Sequence, residues 1–417
     1  MPAFNSAGPP SGTSIKDLDS GKTANVNSAG SLQTFPVDRA SREGFNTVFG
    51  EQIIGIRKPT TAAQFQYGIA SDFATSVLVN GGTAATSDSL LNIETGTNTA
   101  GAAYIETKDY LRYVPGHEAY LFFTTVFTAG AGDSYQRYGL FDDNNGFFIG
   151  YEGTDFKITR RRAGSDVTKT IDVSGIYEDG TFDPTLGNVY RISFGYLGFA
   201  TVHFETMTQS GGWVIIGEFD YPNTSTTTHI AQTNLPARAQ VANTGNSTNI
   251  KGSVGSFSFG IVNGGGEDPS SRVFSYSSGP VAISAGTSPV VTLRSKATFN
   301  SMSNRISSQL MLMSAATDVS KIVSWVIEQG ATITNSPTWA DVNTTDSTFE
   351  YSTDATITAG SGSELLSWQM GKLDSFFEQV DALLITLRPG EWATIYTNTA
   401  LGASGDISLG LRWKELF

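Results

Sequence analysis

From about residue 61 onward, apolar and polar positions alternate with a period of two over most of the chain. Val189, Arg191, Ser193 and Gly195 interleave with Tyr190, Ile192, Phe194 and Tyr196, the spacing of a strand with one face buried. The stretch His117–Gly130 is aromatic and β-branched, and is bounded by Pro115-Gly116 on one side and Ala129–Gly132 on the other. Such residues favour a pleated, half-buried surface. The run Asp142–Gly146 (DDNNG) predicts a hairpin in which Asn-Gly supplies the positive φ angles of a type I′ turn. Further strands are expected in Gly211–Tyr221 and Gly252–Val262. The spacing between turns suits an antiparallel sandwich.

The Gly-rich run Asn263–Ser271 (NGGGEDPSS) is the best domain boundary. Beyond it about nine short apolar segments again predict a sandwich or jelly roll. At the far end, Leu383–Leu387, Thr394–Asn398 and Ile407–Trp413 are expected to form a meander, with tight turns at Pro389-Gly390 and at Gly402–Asp406 (GASGD). Ile407, Leu409, Leu411 and Trp413 then share one buried face. The sequence stops just beyond this strand, which implies that the strand is structural, paired within the sandwich or across a subunit interface. One helix is expected, over Ser363–Gln379, with Gly371 breaking its apolar stripe. Residues 1–60 are rich in Pro, Gly, Ser and Asn and lack periodicity, except that Glu51–Lys58 suggests a first strand and Ser41–Gly50 a helical turn. They predict an extended arm that orders against other subunits. The expected organisation is therefore all-β: an N-terminal docking arm at 1–60, one antiparallel β-sandwich at 61–262 and a second at 272–417. No period of 20–50 residues repeats, so a solenoid or propeller is not supported.

Composition narrows the functions. Only 16% of residues are charged and the net charge is −13, so Ser, Thr, Asn and Gly carry the polar surface. An acidic surface without a basic stripe predicts no nucleic-acid partner. With no cysteine, disulfides, thiolate metal sites and thiol nucleophiles are excluded. No signal peptide is expected at the N-terminus, and no apolar run is long enough for a membrane helix.

Candidate chemistry is sparse. The three histidines, His117, His203 and His229, have no second ligand at metal spacing. Glycosidases need two carboxylates about 5–9.5 Å apart. Glu205, on the strand His203–Thr206, is the one acidic residue singled out, and Glu205→Gln is expected to change neither folding nor turnover. Asp142–Asn145 offers oxygen ligands of the kind calcium takes, at a turn whose geometry demands the same residues. Trp213, Tyr135 and Tyr138 could stack on sugars, against an alternative of core packing. The run Thr159–Arg162 reads as a solvated strand end. No GxSxG elbow, P-loop or dinucleotide fingerprint occurs. No catalytic, metal or cofactor residue is assigned, and the chain is expected to be non-enzymatic.

The segments LRYVPG (Leu111–Gly116), QRYGLFDDNNGFFIGYEG (Gln136–Gly153) and LGNVYRISFGYLGFA (Leu186–Ala200), in that order, resemble a domain of structural proteins from tailed bacteriophages and some large DNA viruses. The last forty residues resemble the C-termini of such proteins. The resemblance covers roughly residues 90–260 and those forty. It implies a concanavalin-like sandwich and a virion location, in a tail- or collar-associated fibre or adaptor, with a capsid decoration protein or head fibre as the alternative. A homotrimer docked on other virion proteins through the arm is expected, with no membrane partner. A third reading is a carbohydrate-binding protein that recognises a host surface glycan. No sugar ligand or catalytic residue of the family maps onto this sequence.

Overall fold

The computed structural model describes residues 14–16, 23–25, 56–176, 182–195, 198–263, 271–383 and 385–417. Most of the expected docking arm, including the suggested helical turn at Ser41–Gly50, lies outside the described residues. Within it stands one short antiparallel pair, Ser14–Lys16 with Thr23–Asn25. The strand Ile56–Gln64 crosses the expected boundary at residue 61 and belongs to the first sandwich.

The described residues are almost entirely β. They contain no α-helix, only two 3-10 turns at Val173–Gly175 and Asp381–Leu383. The first block is two antiparallel sheets packed face to face. A seven-stranded sheet runs in the order Ser165–Thr170, Asp155–Arg162, Gly146–Glu152, Ser134–Phe141, Pro236–Asn243, Ala102–Tyr110, Ala74–Val79. An eight-stranded sheet runs Trp213–Phe219, Val202–Met207, Asn188–Phe194, Ala119–Phe127, Lys251–Asn263, Leu90–Glu94, Thr83–Ser87, with Ile56–Gln64 also paired to Lys251–Asn263. Period-two alternation sends one set of side chains from each sheet into a shared core. Phe127 of the second sheet meets Tyr138 of the first edge-on at 4.9 Å, and Phe194 meets Phe147 at 5.0 Å. Such aromatic contacts add about 0.5–1.5 kcal/mol each beyond area burial.

The expected hairpin at Asp142–Gly146 is present, but its chemistry differs. The pair Phe141–Gly146 closes a four-residue loop. Asn145 does not take a positive φ; Gly146 does, at 139°. The Asp142 carboxylate makes the turn instead, accepting the amides of Asn144 and Asn145, each at 2.6 Å.

The second block is one ten-stranded antiparallel sheet folded around its own core, rather than two separate sheets. Its axis is the 25-residue strand Trp392–Leu416. The first half lies between Val281–Ser295 and Val323–Gln329. The second half lies between Ser271–Ser277 and Ser307–Thr317. The tight turn expected at Gly402–Asp406 is therefore absent. Thr399 pairs with Gly286 and Ser404 with Ser284, so the residues between them bulge outward while the strand continues. Gly402, at φ 74°, takes the left-handed conformation this bulge needs. The expected helix at Ser363–Gln379 is two strands, Ser363–Met370 and Ser375–Gln379. Trp368 stacks between Trp325 at 5.5 Å and Phe376 at 5.2 Å, and this packing overrides the weak helical stripe that Gly371 already interrupts.

The shared inward face of Ile407, Leu409, Leu411 and Trp413 is present, each only 1–2% exposed. Glu415 continues it. Its buried carboxylate accepts from Ser347 Oγ (2.5 Å), Trp413 Nε1 (3.1 Å), Thr348 N (2.7 Å) and Thr348 Oγ1 (2.9 Å), which offsets the cost of taking the charge out of water. Trp413→Ala should therefore lower unfolding free energy by about 3–5 kcal/mol. Leu401→Ala, at 88% exposure on the bulge, should change it by less than about 0.5 kcal/mol. Urea melts of both variants check this pair of outcomes.

Candidate functional site

The outer face of the eight-stranded sheet carries an ordered array set by strand register. One row runs Ala62, Ser258, Phe122, Arg191, Glu205, Ile215. The row to one side is Gln64, Ser256, Thr124, Val189. The row to the other is Gly260, Tyr120, Ser193, His203, Glu218. Six strands thus bring residues far apart in sequence to one surface.

A groove of about 550 Å³ opens on this face. Its outward lining residues are Ala62, Gln64, Phe122, Thr124, Val189, Ser256 and Ser258. Small side chains on Ile56–Gln64 and Lys251–Asn263 make the trough, beside the larger Phe122. The register of Lys251–Asn263 also shifts at Val254/Ser256 and at Phe259/Gly260, and such irregularities bend a strand locally.

Beyond Phe122 the surface turns aromatic and charged. The Trp213 ring lies 5.5 Å from that of Phe122. The Arg191 guanidinium sits 4.4 Å from the Trp213 centroid and 5.8 Å from that of Phe122, within cation–π range. Arg191 also clamps Glu205, Nε to Oε2 at 2.6 Å and Nη2 to Oε1 at 2.5 Å. Ser193 Oγ donates to Oε2 at 3.4 Å. Both partners are buried, Glu205 at 1% exposure. Neither carboxylate oxygen is presented to the groove; the pair holds the guanidinium plane against the rings. His203 lies beside them, its Nδ1 3.4 Å from Glu218 Oε2.

The structure sorts the residues singled out from sequence. Glu205, His203 and Trp213 converge on this face. Tyr138 is buried in the core, and burial pushes its hydroxyl up. Tyr135 lies on the opposite sheet, beneath Arg137 at 3.9 Å. Of the turn Asp142–Asn145, Asp142 pairs with Arg305 and the Asn145 side chain accepts the Ala231 amide at 2.8 Å. His117 lies in a turn where its amide donates to Val114 O at 3.1 Å. His229 is buried against Phe147 and Tyr221, with Nε2 3.0 Å from Ala200 O. Thr159–Arg162 is not a solvated strand end. Arg161 is 8% exposed and forks onto Asp166, while Arg160 lies over the Tyr221 ring. Sequence reasoning missed Phe122, Arg191 and Arg57. Their signal was the alternation itself: each falls on the outward phase of its strand.

No protein-family model matches the chain, and no curated protein is significantly similar to it. Solved structures are similar at low identity. Lectin I-B4 from Griffonia simplicifolia is 14% identical, covering 49% of this chain and 100% of its own, with a TM-score of 0.33. A legume lectin-like domain from Entamoeba histolytica is 14% identical, over 47% of this chain and 95% of that one, at 0.32. A glycosyl hydrolase family protein from Mycobacterium fortuitum is 12% identical, over 48% and 99%, at 0.35. None of them links the chain to a virion. The expectation of a non-enzymatic chain is withdrawn on this finding: glycosyl hydrolases stand beside lectins among the similar structures.

The Arg191–Glu205 pair argues against the expectation that Glu205→Gln leaves folding unchanged. Breaking a buried pair from one side leaves an uncompensated charge. The substitution should cost roughly 3–5 kcal/mol, read as a lowered urea midpoint. His229 gives a second prediction. Burial holds its imidazole down at about 4, against an ordinary 6.5, with the Ala200 carbonyl pulling up and Arg160 pushing further down. The unfolded chain therefore takes the proton first as pH falls. The stabilisation is complete above pH 6.5 and is lost between 6.5 and 4, by about 3 kcal/mol. In His229→Gln the fall in stability over that window should shrink by a comparable amount.

Proposed function

We propose that the chain is a glycan-recognition protein whose binding surface is the groove on the eight-stranded sheet. One observation carries the reading: an open trough lined with hydroxyl and amide side chains that runs into the Phe122–Trp213 aromatic pair. Sugar rings present apolar C–H faces and a rim of hydroxyls. A site for them needs flat apolar surface together with a few fixed polar groups. Thr124, Ser256, Ser258 and Gln64 supply polar groups, and Trp213 and Phe122 supply the flat surface. The Arg191–Glu205 pair fixes the local geometry without offering a mobile charge.

No residue of the second block lines the groove. The described polar contacts between the blocks come from the seven-stranded sheet and its flanking loops: Arg305 with Asp142 and Asn234 O, Arg388 with Asp109 and Asp72 O, Gln232 with Ser303 O, and Arg112 with Phe417 O. A long glycan can therefore reach the groove unobstructed by the second block. The setting we propose is a tailed-phage virion, in a fibre or adaptor position, with host surface glycan as the ligand. That setting, the docking arm and the trimer rest on the sequence resemblance and on composition alone.

A glycan array probed with the full chain tests the binding. Trp213→Ala should weaken any array signal at least tenfold, while Tyr135→Ala on the opposite sheet should leave it unchanged. Loss of signal in Tyr135→Ala with retention in Trp213→Ala would place binding elsewhere and defeat the reading. A reducing-sugar assay on the same glycans reads whether the bound chain is also cut.

A further inference from the structure

We propose that the glycan bound in this groove carries a carboxylate, and that Arg57 is the residue that binds it. The inference rests on the glycan reading and names the ligand's class.

Arg57 stands on the strand Ile56–Gln64, the strand that also supplies Ala62 and Gln64 to the groove. Its guanidinium lies 5.5 Å from the centroid of Phe122, a groove-lining ring, and 6.0 Å from that of Tyr120. Two guanidinium groups thus lie near the Phe122 ring, Arg57 at 5.5 Å and Arg191 at 5.8 Å from its centroid. Arg191 is tied to Glu205 through both carboxylate oxygens. Arg57 makes no ion pair with any described residue, and its buried Nε has no hydrogen-bond partner. Arg137, Arg161, Arg238, Arg294, Arg305 and Arg388 are each paired with a carboxylate; Arg160 and Arg162, on the seven-stranded sheet and away from the groove, share with Arg57 a buried Nε without a hydrogen-bond partner.

Arg57 does not itself line the groove but lies beside its Phe122 ring, and an incompletely satisfied guanidinium there calls for a partner. Burial, and next the charge of Arg191, hold Arg57 below its ordinary value, and Glu118, Tyr120 and Glu205 offset this only in part. A planar carboxylate matches the guanidinium fork, and charge-assisted hydrogen bonds are the strong ones. The surroundings also limit the charge of the ligand. Glu118 and Glu205 already act on the Arg57 guanidinium, the chain has a net charge of −13, and a densely charged polyanion would be repelled. The ligand class that fits is a largely neutral oligosaccharide bearing a single uronate or sialate carboxylate within reach of Arg57.

The test is an array of uronate- and sialate-bearing glycans, each printed as the free carboxylate and as its methyl ester, beside neutral glycans. It is probed with the full wild-type chain and with Arg57→Gln and Arg57→Lys, after melting curves show both variants folded. The proposal expects the carboxylate form to bind at least tenfold more tightly than its ester. Arg57→Gln should abolish that preference and Arg57→Lys should retain part of it. Equal binding of acid and ester, or binding of neutral glycans alone, overturns the carboxylate assignment and leaves the glycan reading standing. A preference for acid that survives Arg57→Gln overturns the assignment to Arg57. No signal on any glycan overturns both.

Discussion

Guanidinium groups laid against aromatic rings and tied to carboxylates are the interaction on which both outer faces of the first sandwich depend. Strand alternation forces one side chain in two to point away from the core. In a chain with few charged residues, those outward positions are filled by rings and arginines together. On the seven-stranded sheet, Phe141 and Phe148 lie 4.6 Å apart and are almost fully buried although they face away from the core. Arg137, Arg161 and Arg238 cover them, at 5.1–5.4 Å from ring centroids. Each of the three is anchored by a carboxylate: Glu152, Asp166, and Glu106 with Asp143. The ring is desolvated, the guanidinium keeps hydrogen bonds in its own plane, and the planar fork loses little freedom in doing so.

That lattice also joins the blocks. Arg305 enters from the second block, lies 5.3 Å from the Tyr110 ring and pairs with Asp142, whose other oxygen holds the hairpin turn. A single aspartate thus serves a turn, an ion pair and the junction between the two blocks. On the eight-stranded sheet the same construction is left open. Small side chains replace bulky ones on two adjacent strands, a groove forms, and the Arg57 guanidinium beside its Phe122 ring makes no ion pair with a described residue. Structural and binding faces differ here by what has been left unfilled.

Much of the fold was legible because period-two alternation is local. The Val189–Tyr196 interleaving placed Tyr190, Ile192 and Phe194 inward and Arg191 and Ser193 outward, as found. What failed needed contacts distant in sequence. The helix at Ser363–Gln379 was suggested by a weak stripe, while the Trp325–Trp368–Phe376 stack that makes it two strands joins residues some fifty positions apart. The turn at Gly402–Asp406 has turn-forming residues, yet the partner strand Val281–Ser295 absorbs them as a bulge. For the site, Glu205 and Trp213 could be singled out by type. Their meeting with Phe122 and Arg57 depends on register across six strands, which no single segment encodes.

The central claim is that the groove on the eight-stranded sheet is where a glycan binds. The most direct measurement is a crystal structure of the chain soaked with a glycan it retains. The account predicts a sugar ring seated against Phe122 and Trp213, with hydroxyls reaching Thr124, Ser256, Ser258 or Gln64. A glycan bound instead on the seven-stranded sheet or on the second block, with the groove empty, would contradict it.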